Sequence, residues 1–118
     1  MTGPRHQEET LLVREILRTF GARPDVRLFR NSVGMVRLPG GGAIPYGLCP
    51  GASDLVGWRT LPSGVAQFVA LEVKAPEGRV APAQEAFLRA VARAGGLAAI
   101  VRSIEDVEAA LAGPEALR

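Results

Sequence analysis

Apolar positions recur along this chain with two periods, and the switches between them mark out its elements. From about Glu8 to Phe20, the residues Leu12, Val13, Ile16, Leu17 and Phe20 fall at helical spacing, and Gly21 follows as a stop, which predicts an amphipathic helix. Pro24-Asp25 makes a turn, after which Val26 to Arg30 alternates apolar and basic residues as a half-buried strand does. Met35 to Leu38 is a candidate short strand. The run after it, with Gly40, Gly41, Gly42, Pro45, Gly47, Pro50 and Gly51, is expected to hold no regular structure. Asp54 to Trp58 and Ala66 to Lys74 read as two strands joined through Leu61-Pro62-Ser63-Gly64, an antiparallel hairpin.

A helix from about Pro82 to Ala94 opens with proline near its first position and closes at Gly95-Gly96, and Leu97 to Arg102 then reads as a buried strand. Ser103 and Asp106, three residues apart, resemble a capping box with Asp in place of Glu, and open a last helix to about Ala112. The order is αβββαβα without internal repeat. With 118 residues there is room for one apolar core and not two, so a single domain over 1–118 is expected.

Composition narrows the chemistry. Apolar residues make up 47% and charged residues 22%, as in an ordinary globular domain. No apolar run reaches the length of a membrane helix, and the polar stretch Met1 to Glu9 lacks a secretory h-region, so a cytoplasmic location and no membrane partner are expected. Cys49 and His6 are single, which rules out a Cys/His zinc site within one chain; a metal would be held by oxygen, as Mg²⁺ or Mn²⁺ are. A net charge of +2 permits nucleic-acid binding without demanding it. Of the 14 basic residues only Lys74 is a lysine, at the one place where a compact ammonium replaces a planar guanidinium.

That lysine belongs to a pattern: Asp54, then seventeen residues, then Glu72-Val73-Lys74. On a strand, residues two apart share a face, so Glu72 and Lys74 stand side by side, and Asp54 at the head of the partner strand can reach the same spot. Two carboxylates can share a divalent cation, and phosphodiester hydrolysis needs that cation together with a group that serves the attacking water, here Lys74. An isolated E-x-K is commonly a surface ion pair. Phe68, Val69, Ala70, Leu71 and Val73, however, read as a strand buried on both sides, where unemployed charges are rare. A helical wheel adds two inward-pointing polar residues, each at a helix start: Glu9 at the middle of the first apolar stripe, with Glu8 and Glu15 turned away, and Gln84 on the face of Phe87, Leu88 and Val91.

Arg27, Arg30, Arg37, Arg59 and Arg79 all fall in strands and loops around this spot and are candidates for phosphate contacts. Gly40-Gly41-Gly42 lacks the Lys-Ser/Thr of a phosphate-binding P-loop and is read as a flexible loop that can approach DNA. Tyr46 and Trp58 are assigned to core or loop packing ahead of base stacking, and Cys49, without a histidine partner, is a poor nucleophile.

In order, Glu9, Arg30-Asn31 with Gly34, Tyr46-Gly47, Gly51-Ala52-Ser53-Asp54-Leu55, Glu72-Val73-Lys74, Gly78-Arg79, Gln84 and Gly95-Gly96 resemble the virus-type replication-repair nuclease (VRR-NUC) family of the PD-(D/E)xK superfamily, over nearly the whole chain. Ser53-Asp54 stands where the superfamily has proline-aspartate, as is usual for this branch. The resemblance implies an α/β fold with an αβββαβ core, a mixed central sheet flanked by helices, here with a C-terminal helix added. It implies a DNA endonuclease dependent on Mg²⁺ or Mn²⁺, with Glu9, Asp54, Glu72, Lys74 and Gln84 catalytic. Asp54, Glu72 and the Val73 carbonyl would be the metal ligands, and Arg30, Asn31 and Arg79 would bind DNA. It further implies a homodimer acting on branched DNA such as four-way junctions. The competing readings are a non-catalytic DNA-binding or assembly module on a nuclease fold and, ranked lowest, a restriction-type enzyme, which needs more surface for base-edge contacts.

Overall fold

The structure, a computed structural model, describes residues 4–113. The first helix, α1, runs over Pro4–Phe20, one turn longer at its start than its apolar stripe requires. It leads into β1 (Val26–Arg30), β4 (Leu55–Thr60) and β5 (Ala66–Val73), with a small ribbon of β2 (Gly34–Arg37) and β3 (Ala43–Tyr46) inserted between β1 and β4. Then come α2 (Pro82–Arg93), β6 (Leu97–Val101) and α3 (Ile104–Leu111). With the ribbon set aside, the order is αβββαβα.

The main sheet has the order β1-β4-β5-β6. Its first three strands are antiparallel, while β6 lies parallel to β5, because α2 carries the chain across the sheet and back. The two faces differ in cover. On one, Val13, Ile16 and Phe20 of α1 and Val107 and Leu111 of α3 close over Leu28, Leu55, Val69, Leu71, Val73 and Val101. Each such side chain contributes roughly 1.5 to 3 kcal/mol by leaving water. On the other, Leu88 and Val91 of α2 pack on Ala70, with Ala98 beside them, and so cover only the β5–β6 half. Phe68 therefore stays 43% exposed, and the expected two-sided burial of this strand holds only from Val69 to Val73. Trp58, assigned from the sequence to packing, lies on the same open half, exposed and in ring contact with Phe29.

The ribbon corrects the expectation that residues 40–51 hold no regular structure. Ala43–Tyr46 pairs with Gly34–Arg37, Val36 opposite Ile44 and Met35 opposite Pro45. In a two-stranded ribbon both strands are edges, where proline's missing N–H is tolerated. The glycines act in the turn: Gly41 and Gly42 take φ of 102° and 81°, closing Leu38 N–H onto the Gly42 carbonyl. At the start of α3 the Ser103 hydroxyl accepts from Asp106 N–H as a cap should, but the Asp106 carboxylate returns to Arg102 N–H, one residue before the cap.

Arg59 is a second correction. It lies at the far end of β4 from Asp54, only 6% exposed, and donates to the Gln67 side chain and to the carbonyls of Leu111 and Gly113. It satisfies the end of α3, where carbonyls lack helical partners and a cation is favoured, and is no part of a DNA surface.

Candidate active site

The β4–β5 register pairs Leu55 with Leu71, and one step further along the hairpin Asp54 stands across from Glu72. Asp54 is held at both ends: its backbone carbonyl accepts from Asn31 N–H at 2.7 Å, and its Oδ2 accepts from Val73 N–H at 2.8 Å. Ser53 beneath it is buried and donates to the Leu55 carbonyl. Asp54 is thus held by the Val73 N–H of β5 on its carboxylate and by the residue just after β1 on its backbone.

Glu72 is only 2% exposed, and among the described residues its Oε1 is the one buried side-chain polar atom without a hydrogen-bond partner. Its Oε2 lies 3.4 Å from the Lys74 ammonium. Burial foremost, and then the negative charge of Asp54, push the Glu72 carboxyl up to about 7 from its ordinary 4.5; Lys74 pulls the other way and offsets only part of this. A second carboxylate and an orphaned oxygen in one buried spot are costly to the protein alone. A bound divalent cation would relieve both, and the oxygen donors suit Mg²⁺ or Mn²⁺. Among the described residues no three Asp, Glu, His or Cys side chains form a metal cluster.

Glu9 turns inward, as the wheel requires, while Glu8 is exposed. Its Oε2 accepts from Ala75 N–H at 3.1 Å, which ties α1 to the turn just past Lys74. A side chain at Gly78 would sit 3.1 Å from that same oxygen, so glycine leaves the carboxylate its room. Arg102, missed in the sequence, braces the turn from the other side by donating to the carbonyls of Ala75 and Gly78 at 2.8 and 2.9 Å. Lys74 N–H meanwhile bonds the Val101 carbonyl, prolonging the β5–β6 ladder to the lysine itself.

Gln84 accepts from Ala81 N–H at 2.8 Å, capping α2, and joins Asp54, Arg30, Asn31 and His6 in lining a cleft of about 430 Å³. Lys74 lines a neighbouring cleft with Glu8 and Arg102. Arg30 is exposed at the cleft; Arg79 is exposed on the loop between β5 and α2. Asn31 spends its amide internally, donating to the Ser53 carbonyl and accepting from Leu48 N–H. Its role here is to hold Asp54 in place.

Compared with known families, residues 45–105 match the VRR-NUC domain, more than half of the chain. The chain belongs to the VRR-NUC family. Membership suggests a nuclease-type function with DNA as partner. The VRR-NUC match takes in Asp54, Glu72, Lys74 and Gln84, whereas Glu9, Arg30 and Asn31 lie before it. No curated protein and no solved structure compared with the chain matches it. No helix among the described residues is long and apolar enough to cross a membrane.

Proposed function

We propose that this VRR-NUC chain is a divalent-metal-dependent DNA endonuclease of the PD-(D/E)xK type, structure-selective for branched DNA such as four-way junctions and working as a homodimer. The observation that carries the reading is the buried Glu72 with an orphaned oxygen beside Asp54 and within 3.4 Å of Lys74. Asp54, Glu72 and the Val73 carbonyl would hold Mg²⁺ or Mn²⁺, which supplies polarisation of the phosphate and a more acidic water. Lys74 orients the attacking water and balances the charge that builds on the phosphate. Glu9 would support the metal site directly or through water, Gln84 would orient the site or the DNA backbone, and Arg30 and Arg79 serve the DNA backbone, while Asn31, expected to join them, has its side-chain amide engaged by Ser53 and Leu48. Two such sites related by a two-fold axis would suit a symmetric junction.

The test is cleavage of a labelled four-way junction with Mg²⁺ or Mn²⁺, beside linear duplex and single-stranded controls, with Lys74→Ala and Asp54→Ala for comparison. Metal-dependent cutting by the wild type and a fall of at least about a hundredfold in each variant is expected. Undiminished cleavage in both variants would overturn the assignment. The alternative, a DNA-binding or assembly module without turnover, draws on the absence, among the described residues, of a cluster of three or more Asp, Glu, His or Cys side chains. Tight junction binding with no product in any divalent metal would favour it.

A further inference from the structure

The ribbon of β2 and β3 is the part of the molecule that this function leaves unused. Among the described residues it pairs with no other strand. Its apolar residues face water: Met35 is 65% exposed, and Val36, Leu38, Ile44 and Tyr46 lie between 41% and 53%. At its tip, side chains added to Gly40, Gly41 or Gly42 would meet nothing within 4 Å, so the turn stands clear of the body, with the exposed Leu38-Pro39 leading into it. An isolated ribbon with bare apolar faces is marginal in water, so an occupant is called for.

Charge and attachment indicate which occupant. From Val26 to Ser53 there is no acidic residue, while Arg27, Arg30 and Arg37 are present. Arg27 is spent on the carbonyls of Arg23 and Val26, whereas Arg30 at the cleft and Arg37 on the ribbon are both exposed. Both ends of the ribbon are knotted to the cleft through one residue: Asn31 binds Leu48 N–H on the returning side and the carbonyls of Ser53 and Asp54. The base of the ribbon is thus tied to the residue that carries the Asp54 carboxylate. A two-stranded ribbon fits a DNA groove, and apolar tips with neighbouring arginines are the side chains that press on base steps.

We infer that the ribbon is a DNA-contacting arm: Arg30 and Arg37 take phosphates of the duplex beside the cut, and Leu38-Pro39 packs on the base-pair face left bare where a duplex branches. At a branch that face is already unstacked, so the wedge gains contact without first opening the helix, and branched DNA is preferred over linear. The inference rests on the reading of the chain as a branched-DNA nuclease.

Binding is measured by fluorescence anisotropy in Ca²⁺ with a four-way junction and a linear duplex of matched sequence, with the folded state of each variant checked by its thermal melt. In a Leu38→Ser/Pro39→Ser double variant the preference for the junction falls about tenfold, the scale of one lost stacking contact. Arg37→Ala weakens both substrates and lowers the slope of log affinity against log salt by about 1. A 2-aminopurine placed next to the branch changes its fluorescence when the wild type binds, a readout that needs no variant. An unchanged preference in the double variant, or a silent 2-aminopurine, overturns the inference while leaving the nuclease reading intact. A wild-type dimer that the double variant splits into monomers, with junction preference unchanged, also overturns it, since the ribbon would then be covered by a second copy. Wild-type protein that binds no DNA at all removes the nuclease reading and this inference together.

Discussion

Replacing Glu72 with glutamine separates what this residue costs the fold from what it does for the chemistry. The amide keeps the shape and can donate to Asp54, but it removes the buried charge. A carboxyl raised from 4.5 to about 7 destabilises the folded state on the order of 3 kcal/mol once fully ionised, at roughly 1.4 kcal/mol per pH unit. The Lys74 pairing is already contained in that shift, and an amide that must find its own partners in the same buried spot reduces the net gain to about 2 kcal/mol. The sign follows from the proton: the folded chain holds it more tightly than the unfolded one. Stability from this group is therefore complete below pH 4.5 and lost as pH rises through about 7.

In EDTA at pH 8, Glu72→Gln should thus melt roughly 6 to 12 °C above the wild type, while at pH 4.5 the two should nearly coincide. Subtracting one protein from the other cancels the remaining carboxylates. Adding Mg²⁺ or Mn²⁺ at pH 8 should raise the wild-type melting temperature and leave the variant unmoved, since a ligand stabilises only the state that binds it. Cleavage should be lost in the variant despite its greater stability. A difference between the two proteins that stays flat from pH 4.5 to 8 would refute the reasoning, because the carboxylate would then carry no burial penalty for a metal to relieve.

Two other substitutions test the frame that carries the site. Arg59→Met leaves the Leu111 and Gly113 carbonyls and the Gln67 side chain short of a donor, and should cost about 2 to 4 kcal/mol in urea unfolding while cleavage per folded molecule stays within about twofold, because the residue sits at the opposite end of β4. Gly57→Ala puts a methyl group 1.8 Å from the Arg27 carbonyl in the neighbouring strand and should destabilise by more than about 3 kcal/mol; soluble, fully active protein with an unchanged melt would show that β1 does not pair as described.

What could be read from the chain alone, and what could not, divides along a physical line. The stripe Leu12, Val13, Ile16, Leu17 and Phe20 predicts α1 and aims Glu9 inward, and the structure finds its carboxylate on Ala75 N–H. Asp54 facing Glu72 follows from a hairpin whose turn and alternation are local. The first ribbon strand was legible at Met35 to Leu38, but the returning strand was hidden because Gly40, Gly41, Gly42 and Pro45 read as breakers, although an edge strand and a positive-φ turn can use them. The open half of the second face was hidden because an apolar run does not say how far a helix will reach across it, and α2 stops short of Phe68 and Trp58.

Arg59 and Arg102 mark the deeper boundary. A buried carboxylate such as Glu72 stands out within an apolar run because its burial is expensive, and the expense is visible in its neighbours along the chain. Arg59 and Arg102 are employed just as fully, but beside Gln67 they hold backbone carbonyls, brought from 52 and 54 residues away for Arg59 and from 27 and 24 for Arg102. A carbonyl has no residue identity, so no spacing in the sequence can announce the bond. Chemistry that depends on the type of two side chains can be read early in this protein. Support that depends on where the backbone happens to pass becomes readable only once the sheet is assembled.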